Sequence, residues 1–333
     1  MKEITIRDIA REAGVSPSTV SRVINNSAPV SDELRERVLS TIEKLGYNPN
    51  PIAQSLRRGF TNTIGFVIPD ITNPFFSLIV KGAEDFLKRK KVFLMICSSN
   101  HSVEEEEKLL QMLITRKVDG LLFIGAGSHN NVIKNSLNKT KIVFVDRLYE
   151  GCEAPYVVSD NYNGMKNLIN YLINIGHRSF VFLNGEKNTY SAKERLKGFL
   201  DALKERNVKE YEVYFGQFTY ESGFSLAKKL RKIPDAIVCG NDLMAYGAID
   251  ALEEKGYSIP DDVSVTGFDD LPFSKHYKPS LTTVRQPFYE MGREAAKIIF
   301  HLINGKMKRK TGVVLETKLV IRETTKQRGG CGR

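Results

Sequence analysis

From Thr63 onward the sequence alternates short apolar runs with amphipathic stretches, and that alternation limits the fold more than any other feature. The runs "TIGFVI", "VFLMIC", "DGLLFI", "KIVFVD", "FVFLNG", "DAIVCG" and "VSVTGFD" each read as a parallel strand buried on both faces. Between them, stretches such as "FFSLIVKGAEDFLKRK" and "AYGAIDALEEKG" carry apolar residues at helical spacing. Strand, helix, strand repetition specifies doubly wound α/β sheets, and the length left after residue 62 suits two of them. Ligands of such sheets sit beyond the carboxyl ends of the strands. Polar residues gather there: "IPDITNPFF" after the first run, "VDR" after the fourth, then "GND", "GFDD" and "LTTVRQP".

The first sixty residues follow a different rule. Ile6, Ile9, Ala10 and Ala13 fall on one side of a short helix that Thr5 and Asp8 open as an approximate capping box. Gly14 ends it, and Ser16-Pro17 starts a second helix as N-cap and first-turn proline. Val20, Val23 and Ile24 turn inward, leaving Pro17, Ser18, Ser21, Arg22 and Asn25 outside. Two short helices joined at a glycine form a helix-turn-helix, whose second helix can enter a major groove. A third helix, capped by Ser31 with Asp32 and Glu33 at its positive end, runs to Leu45 before Gly46 and closes a three-helix core.

Charge alone does not carry the DNA reading. The chain has a net charge of +10, yet residues 1–60 hold nine Lys/Arg against seven Asp/Glu. The surplus lies in the remainder, with nine basic and two acidic residues in the last 33. Cys97, Cys152, Cys239 and Cys331 form no CxxC pair, so neither zinc nor a disulfide framework is indicated; Cys97 and Cys239, in apolar runs, are expected to be buried thiols. No stretch approaches the ~20 apolar residues of a membrane helix, and "MKEITIRDIA" is too charged for a signal peptide, so a cytoplasmic protein is expected.

The order of helix-turn-helix, Val-Ser-x-x-Thr-Val-Ser-Arg core, Tyr-x-Pro and Ala-x-x-Leu resembles the lactose-repressor (LacI/GalR) family of bacterial transcription regulators. The segment "YNPNPIAQSLRRGF" is too short for a helix stable by itself, as isolated helices below ~12 residues are marginal. The resemblance implies that it is a hinge helix, paired across a homodimer, with Leu56 wedged into the minor groove and Ala53 at the close helix contact. It further implies that Pro17, Ser18 and Arg22 face base edges while Thr5, Ser16, Ser21 and Asn25 hold phosphates of a near-palindromic operator. Pro17 departs from members that carry a hydrogen-bonding side chain there. Arg22 is the best candidate for bidentate recognition of guanine.

Over the remaining chain the resemblance is to the two-lobed type I periplasmic-binding-protein fold that forms the core of these repressors. Asn73, Phe75, Phe76, Asp146, Arg147, Arg195, Phe218, Asn241, Asp269 and Gln286 fall where ribose-binding members carry the same residue types, and Ser191 precedes Arg195 by one helical turn. Phenyl faces cover the C–H faces of a sugar ring, and carboxylates, amides and guanidiniums partner its hydroxyls. The implied organisation is a helix-turn-helix domain at 1–48, a hinge at 49–60 and a core at 61–325. Within the core, lobe 1 is 61–159 with 287–316, lobe 2 is 160–286 with 317–325, and 326–333 reads as a disordered tail.

Enzyme motifs are missing from the sequence: there is no G-x-x-x-x-G-K-[ST], no G-x-S-x-G and no H-x-x-x-H. Gly125-x-Gly127 follows a strand, but Asn130 stands where a dinucleotide fingerprint needs its third glycine. The expectation is a repressor without catalysis or cofactor, controlled by a small sugar such as ribose. A purine or a protein coregulator acting on the same architecture, and a sugar-binding protein without regulatory function, are the alternatives.

Overall fold

Thr5 begins the first element: its backbone N–H and its hydroxyl both donate to the Asp8 carboxylate, at 3.0 and 2.6 Å. The computed structural model describes residues 4–25, 28–47, 60–126, 130–307 and 311–328. It divides the chain into one unit ending at Thr61 and another starting at Asn62. In the first unit α1 (Ile6–Glu12) is stopped by Gly14, whose φ of +63° suits a residue without Cβ, and Val15 N–H turns back to the Ala10 carbonyl at 3.0 Å. Helix α2 (Pro17–Asn25) starts at once, because the Ser16 hydroxyl accepts from Thr19 N–H at 3.1 Å. Helix α3 (Asp32–Leu45) closes the bundle over a core of Ile9, Ala10, Ala13, Val20, Val23 and Val38. Ser31 occupies the N-cap of α3 but makes no side-chain cap bond, so the acidic pair Asp32 and Glu33 is what favours that end.

The second unit contains two sheets. The first is parallel throughout, in the order β11-β5-β4-β3-β1-β2. Its strands are β1 (Thr63–Ile68), β2 (Phe93–Ser98), β3 (Gly120–Phe123), β4 (Ile142–Val145), β5 (Tyr156–Ser159) and β11 (Gly312–Leu315). The second, also parallel, has the order β7-β6-β8-β9, built from β6 (Ser179–Asn184), β7 (Glu210–Phe215), β8 (Ala236–Cys239) and β9 (Ser264–Thr266). In both, strand order reverses beside the first strand, which places a ligand crevice at the carboxyl ends.

Helices α4 (Pro74–Arg89), α5 (Val103–Thr115), α6 (Asn130–Leu137) and α11 (Phe288–Ile303) cover the first sheet. Helices α7 (Asn161–Asn174), α8 (Tyr190–Glu205), α9 (Tyr220–Lys229) and α10 (Asp242–Glu254) cover the second. Helices α4 and α11 approach so closely that a Cβ on Gly292 would lie 1.8 Å from the Ile79 carbonyl oxygen, which no larger residue can satisfy. The chain passes between sheets after β5, before α11 and after β11. The antiparallel pair β10 (Thr283–Arg285) and β12 (Lys318–Val320) lies at two of those passages.

Two expectations change. Cys239 is fully buried, but Cys97 is only half-buried, because β2 is the edge of its sheet. The tail is not disordered from residue 326. Lys326 pairs with Asp261, and Arg328 donates through its N–H to the Ile175 carbonyl and through its guanidinium to the Asp261 carbonyl, both at 2.8 Å. Cations able to reach open carbonyls at helix and turn ends hold this segment down.

Candidate functional site

The carboxyl ends of the strands converge on one cleft lined by Asn73, Phe75, Phe76, Asp146, Arg147, Ser191, Arg195, Phe218, Asn241 and Asp269. Helix starts position several of them. Asn73 caps α4, its amide oxygen accepting from Phe75 N–H at 3.0 Å, which leaves the amide nitrogen for the cleft. Asn241 caps α10 through Met244 N–H at 2.9 Å and donates to the Phe218 carbonyl at 3.1 Å, so it fixes Phe218 as well as lining the space. Phe75 and Phe76 meet edge to face, with ring centroids 5.0 Å apart and planes at 87°.

Asp146 follows β4 with φ of +63°, a conformation that costs a non-glycine residue energy and recurs at ligand sites. It is 2% exposed, pairs with Arg147 at 3.5 Å, and its Oδ1 has no hydrogen-bond partner among the described residues. Arg147 is anchored by its donation to the Gly125 carbonyl at 2.6 Å. Arg195 lies over the Phe268 ring at 3.8 Å and donates to Asn161 Oδ1 at 2.8 Å and to the Gly240 carbonyl at 2.5 Å. It makes no direct ion pair with a carboxylate among the described residues. Burial pushes the Asp146 and Asp269 carboxyls above their usual range, strongly for Asp269, against the pull of Arg195 on both and of Arg147 on Asp146. Burial likewise lowers Arg195. These ions are costly to keep dry without partners.

Gln286 is the one expected ligand residue that is absent from the lining. Its amide donates to Asp269 Oδ1 at 2.7 Å, so it orients the carboxylate from behind. Sequence reading also missed Asp242, fully buried behind Asn241. Its carboxylate accepts from Leu271 N–H at 2.8 Å and from the Ser274 and Thr283 hydroxyls, each at 2.5 Å. Asp242 thus ties the loop carrying Asp269 to the start of α10.

The ten lining residues enclose about 30 Å³, room for a water or two. A larger cavity of about 530 Å³ shares Arg147 and continues past Tyr149, Thr189, Tyr190 and Lys193. Glu106 supports its wall: this buried carboxylate accepts from Ala126 N–H and from the Ser99 hydroxyl. Burial raises the Glu106 carboxyl to about 7. The folded chain therefore holds a proton there that the unfolded chain has released, and stability is lost as pH rises through 7. Between pH 6 and pH 8 the loss should be about 1.4 kcal/mol, from ~1.4 kcal/mol per unit of differential protonation. Glu106→Gln should remove this slope in chemical denaturation curves at the two pH values; an unchanged slope would assign it to another group.

In the first unit Thr5, Ser16, Pro17, Ser18 and Arg22 are exposed and Ser21 is half-exposed. Ser18, Ser21 and Arg22 lie at helical spacing on the side away from Val20 and Val23. Ser16 is committed in part as the cap, sharing its hydroxyl with those of Ser18 at 2.7 Å and Thr19 at 2.9 Å. Asn25 ends α2, and its side chain lies outside what is described, as do Ala53 and Leu56 altogether.

Residues 5–50 match the family described as bacterial regulatory proteins, lacI family, and residues 169–325 match the periplasmic binding protein-like domain. The ribose operon repressor of Bacillus subtilis is 34% identical over 326 residues, covering 97% of this chain and 99% of the relative. The HTH-type transcriptional repressor PurR of Mannheimia succiniciproducens is 33% identical over 330 residues, covering 97% and 99%. Among solved structures, the lac repressor dimer bound to operator and the anti-inducer ONPF superposes with a TM-score of 0.88 at 27% identity, covering 98% of this chain and all of that one. A LacI family regulator from Enterococcus faecium with bound ribose gives 0.74 at 28% identity, covering 80% and 99%.

Proposed function

The chain belongs to the lacI family of bacterial regulatory proteins, and from that premise we propose that a small sugar, ribose or a related pentose, controls its affinity for operator DNA. As a member of that family it is a DNA-binding transcription regulator with a small-molecule effector, and not an enzyme. The observation that carries the choice of effector is the cleft itself. Among the described residues, buried Asp146 keeps an oxygen without a protein donor, beside Arg147, Arg195 and the amide nitrogen of Asn73. Sugar hydroxyls both donate and accept, so they satisfy carboxylates and guanidiniums in one site. The relatives named for ribose support the same reading.

A purine is the second reading, favoured by the relative named PurR. Against it, Phe75 and Phe76 stand at 87° to each other and offer no parallel pair to sandwich a flat base. The small enclosed space also means that a pentose enters by parting of the two lobes. In a homodimer on a near-palindromic operator, closure over the sugar changes the spacing of the attached hinge segments. Sugar and operator are then linked reciprocally: a sugar that weakens DNA binding binds less tightly to the DNA complex. No cofactor beyond the effector is required.

The test is thermal unfolding of the full-length protein with D-ribose, other pentoses, hexoses, their phosphates and purines. A ligand at 100 times its Kd adds ~2.7 kcal/mol to the native state, a clear rise in Tm. Stabilisation by ribose or another pentose, and not by adenine or guanine, is expected. Stabilisation by purines or sugar phosphates alone would replace the pentose while leaving the regulator intact.

A further inference from the structure

The six strands of the first sheet run parallel, so their amino ends share one edge, opposite the cleft. Every helix-to-strand turn that feeds this edge is basic. The turn from α4 to β2 reads Lys-Arg-Lys-Lys at 88–91, that from α5 to β3 begins Arg116-Lys117, that from α6 to β4 holds Lys139 and Lys141, and that from α11 to β11 holds Lys306. In sequence Lys308, Arg309 and Lys310 follow. Two carboxylates share the edge, Glu153 and Asp119, and Asp119 accepts from Thr63 N–H at 3.2 Å. Lys88, Lys91, Lys139 and Lys306 are exposed and have no salt-bridge partner among the described residues.

The second sheet provides the contrast. Its corresponding turns mix the signs: Asp235, Asp261 and Asp262 stand among their cations, Lys232 pairs with Glu210, Lys255 donates to the Leu230 carbonyl at 2.7 Å and Arg178 to the Ile173 carbonyl at 2.9 Å, while Lys209 and Arg231 stay exposed. An uncompensated row of like charges repels itself and is relieved by a polyanion. The covalent connection says which one. Strand β1 starts at Thr63, directly after the segment that joins the core to the helix-turn-helix unit, so the chain arrives from that unit onto this basic edge.

We propose that the amino-terminal edge of the first sheet is a second DNA-facing surface, which neutralises phosphates of the bound duplex without reading its sequence. It accounts for the positive surplus that lies outside the first sixty residues. Phosphate neutralisation releases counterions, and each phosphate contributes about −0.9 to the slope of log K against log salt.

The experiment uses the full-length protein without sugar and a 40-base-pair duplex carrying the sequence that the unmodified protein selects from a randomised pool. Affinity is measured by fluorescence anisotropy from 50 to 300 mM KCl for the unmodified protein and two fourfold variants. K88Q/K91Q/K139Q/K306Q should make the slope shallower by about 2 to 4 and weaken binding at 0.1 M salt about tenfold or more, with Tm and base preference retained. K204Q/K209Q/K229Q/R231Q removes the same charge from the second lobe and should change the slope by less than about 1. An unchanged slope in the first variant, or equal changes in both, overturns the proposal. Because no effector is present, this outcome is independent of whether the cleft binds a pentose.

Discussion

Asp269→Asn is expected to weaken effector binding a hundredfold or more while leaving the folded chain at least as stable as the unmodified protein. The two effects separate because the carboxylate is kept for ligand at the expense of stability. Asp269 is 2% exposed, and its ionised form is opposed by burial and by the neighbouring Asp242 and Asp146, against the favourable field of Arg195. An acid whose folded pKa is raised stabilises the native state below its unfolded pKa, and that contribution is lost as pH rises through the folded value. The unmodified protein should therefore lose stability on going from acid to neutral pH through this group, and the asparagine variant should not. The amide oxygen can still accept from Gln286, so the loop stays oriented. What the variant loses is a charged acceptor for sugar hydroxyls, at about 1.5–3 kcal/mol for each bond, and two such bonds exceed a hundredfold in affinity. Calorimetric titration of the sugar found by thermal shift, with denaturation at two pH values, measures both. A stability loss of 2 kcal/mol or more in the variant would show that Asp269 is a structural ion, and the charged effector contact would have to be sought elsewhere.

Some of the lining rested on the family resemblance alone, such as Phe75, Phe76, Ser191 and Arg195 inside helices, but part of it was legible because it follows a strand end, where sequence shows an apolar run stopping at polar residues. Asn73 after "TIGFVI", Asp146 after "KIVFV" and Asn241 after "AIVCG" are all of this kind. Residues that act from behind the lining were not legible. Gln286 differs from a lining residue only in side-chain direction, and Asp242 beside Asn241 reads as an ordinary acid in the first turn of a helix. Glu106 sits in the run "VEEEEK", which looks like a solvated helix face. The signal was present, since Glu106, Leu110 and Leu113 share one helical stripe, but a carboxylate in an apolar stripe has to outbid its own desolvation, and only the Ala126 and Ser99 donors make that clear.

Strands were legible in the interior of the sheets and partly lost at the edges. Strand β7, "EYEVYF", has charged and exposed residues because nothing pairs with its outer side, and β2 is visible only through its apolar run. Strand β5, four residues long, and β11, at the far edge of the first sheet, were both passed over. The pair β10 and β12 is made of three-residue strands joined across the lobe passages, so pairing partners far apart in sequence define it rather than any local pattern. The helical unit was the most legible, because the starts of α1 and α2, the glycines and a 3.6-residue stripe agree, with the Ser31 cap of α3 the exception.

Arg22→Ala is expected to flatten the discrimination of the helix-turn-helix while sparing the effector site. Arg22 is exposed on α2, opposite the side where Val20 and Val23 are 0% and 4% exposed, so its removal leaves the three-helix core untouched. A guanidinium that bridges O6 and N7 of guanine is worth about 1–3 kcal/mol against the wrong base, or roughly 10- to 100-fold. The loss should fall on one base pair of each half-site: the variant binds the selected duplex and its single-base derivative with nearly equal affinity, where the unmodified protein separates them. Sugar-induced thermal shifts should be unchanged, since Arg22 and the cleft belong to separate units. Salt titration distinguishes the competing role. If Arg22 holds a phosphate, affinity falls by the same factor on every sequence and the salt slope becomes shallower by about 1. A base-reading Arg22 changes the ranking of sequences instead, and because Pro17 offers no hydrogen-bonding side chain, that ranking depends on Arg22 more heavily than it would in a chain with a polar residue at position 17.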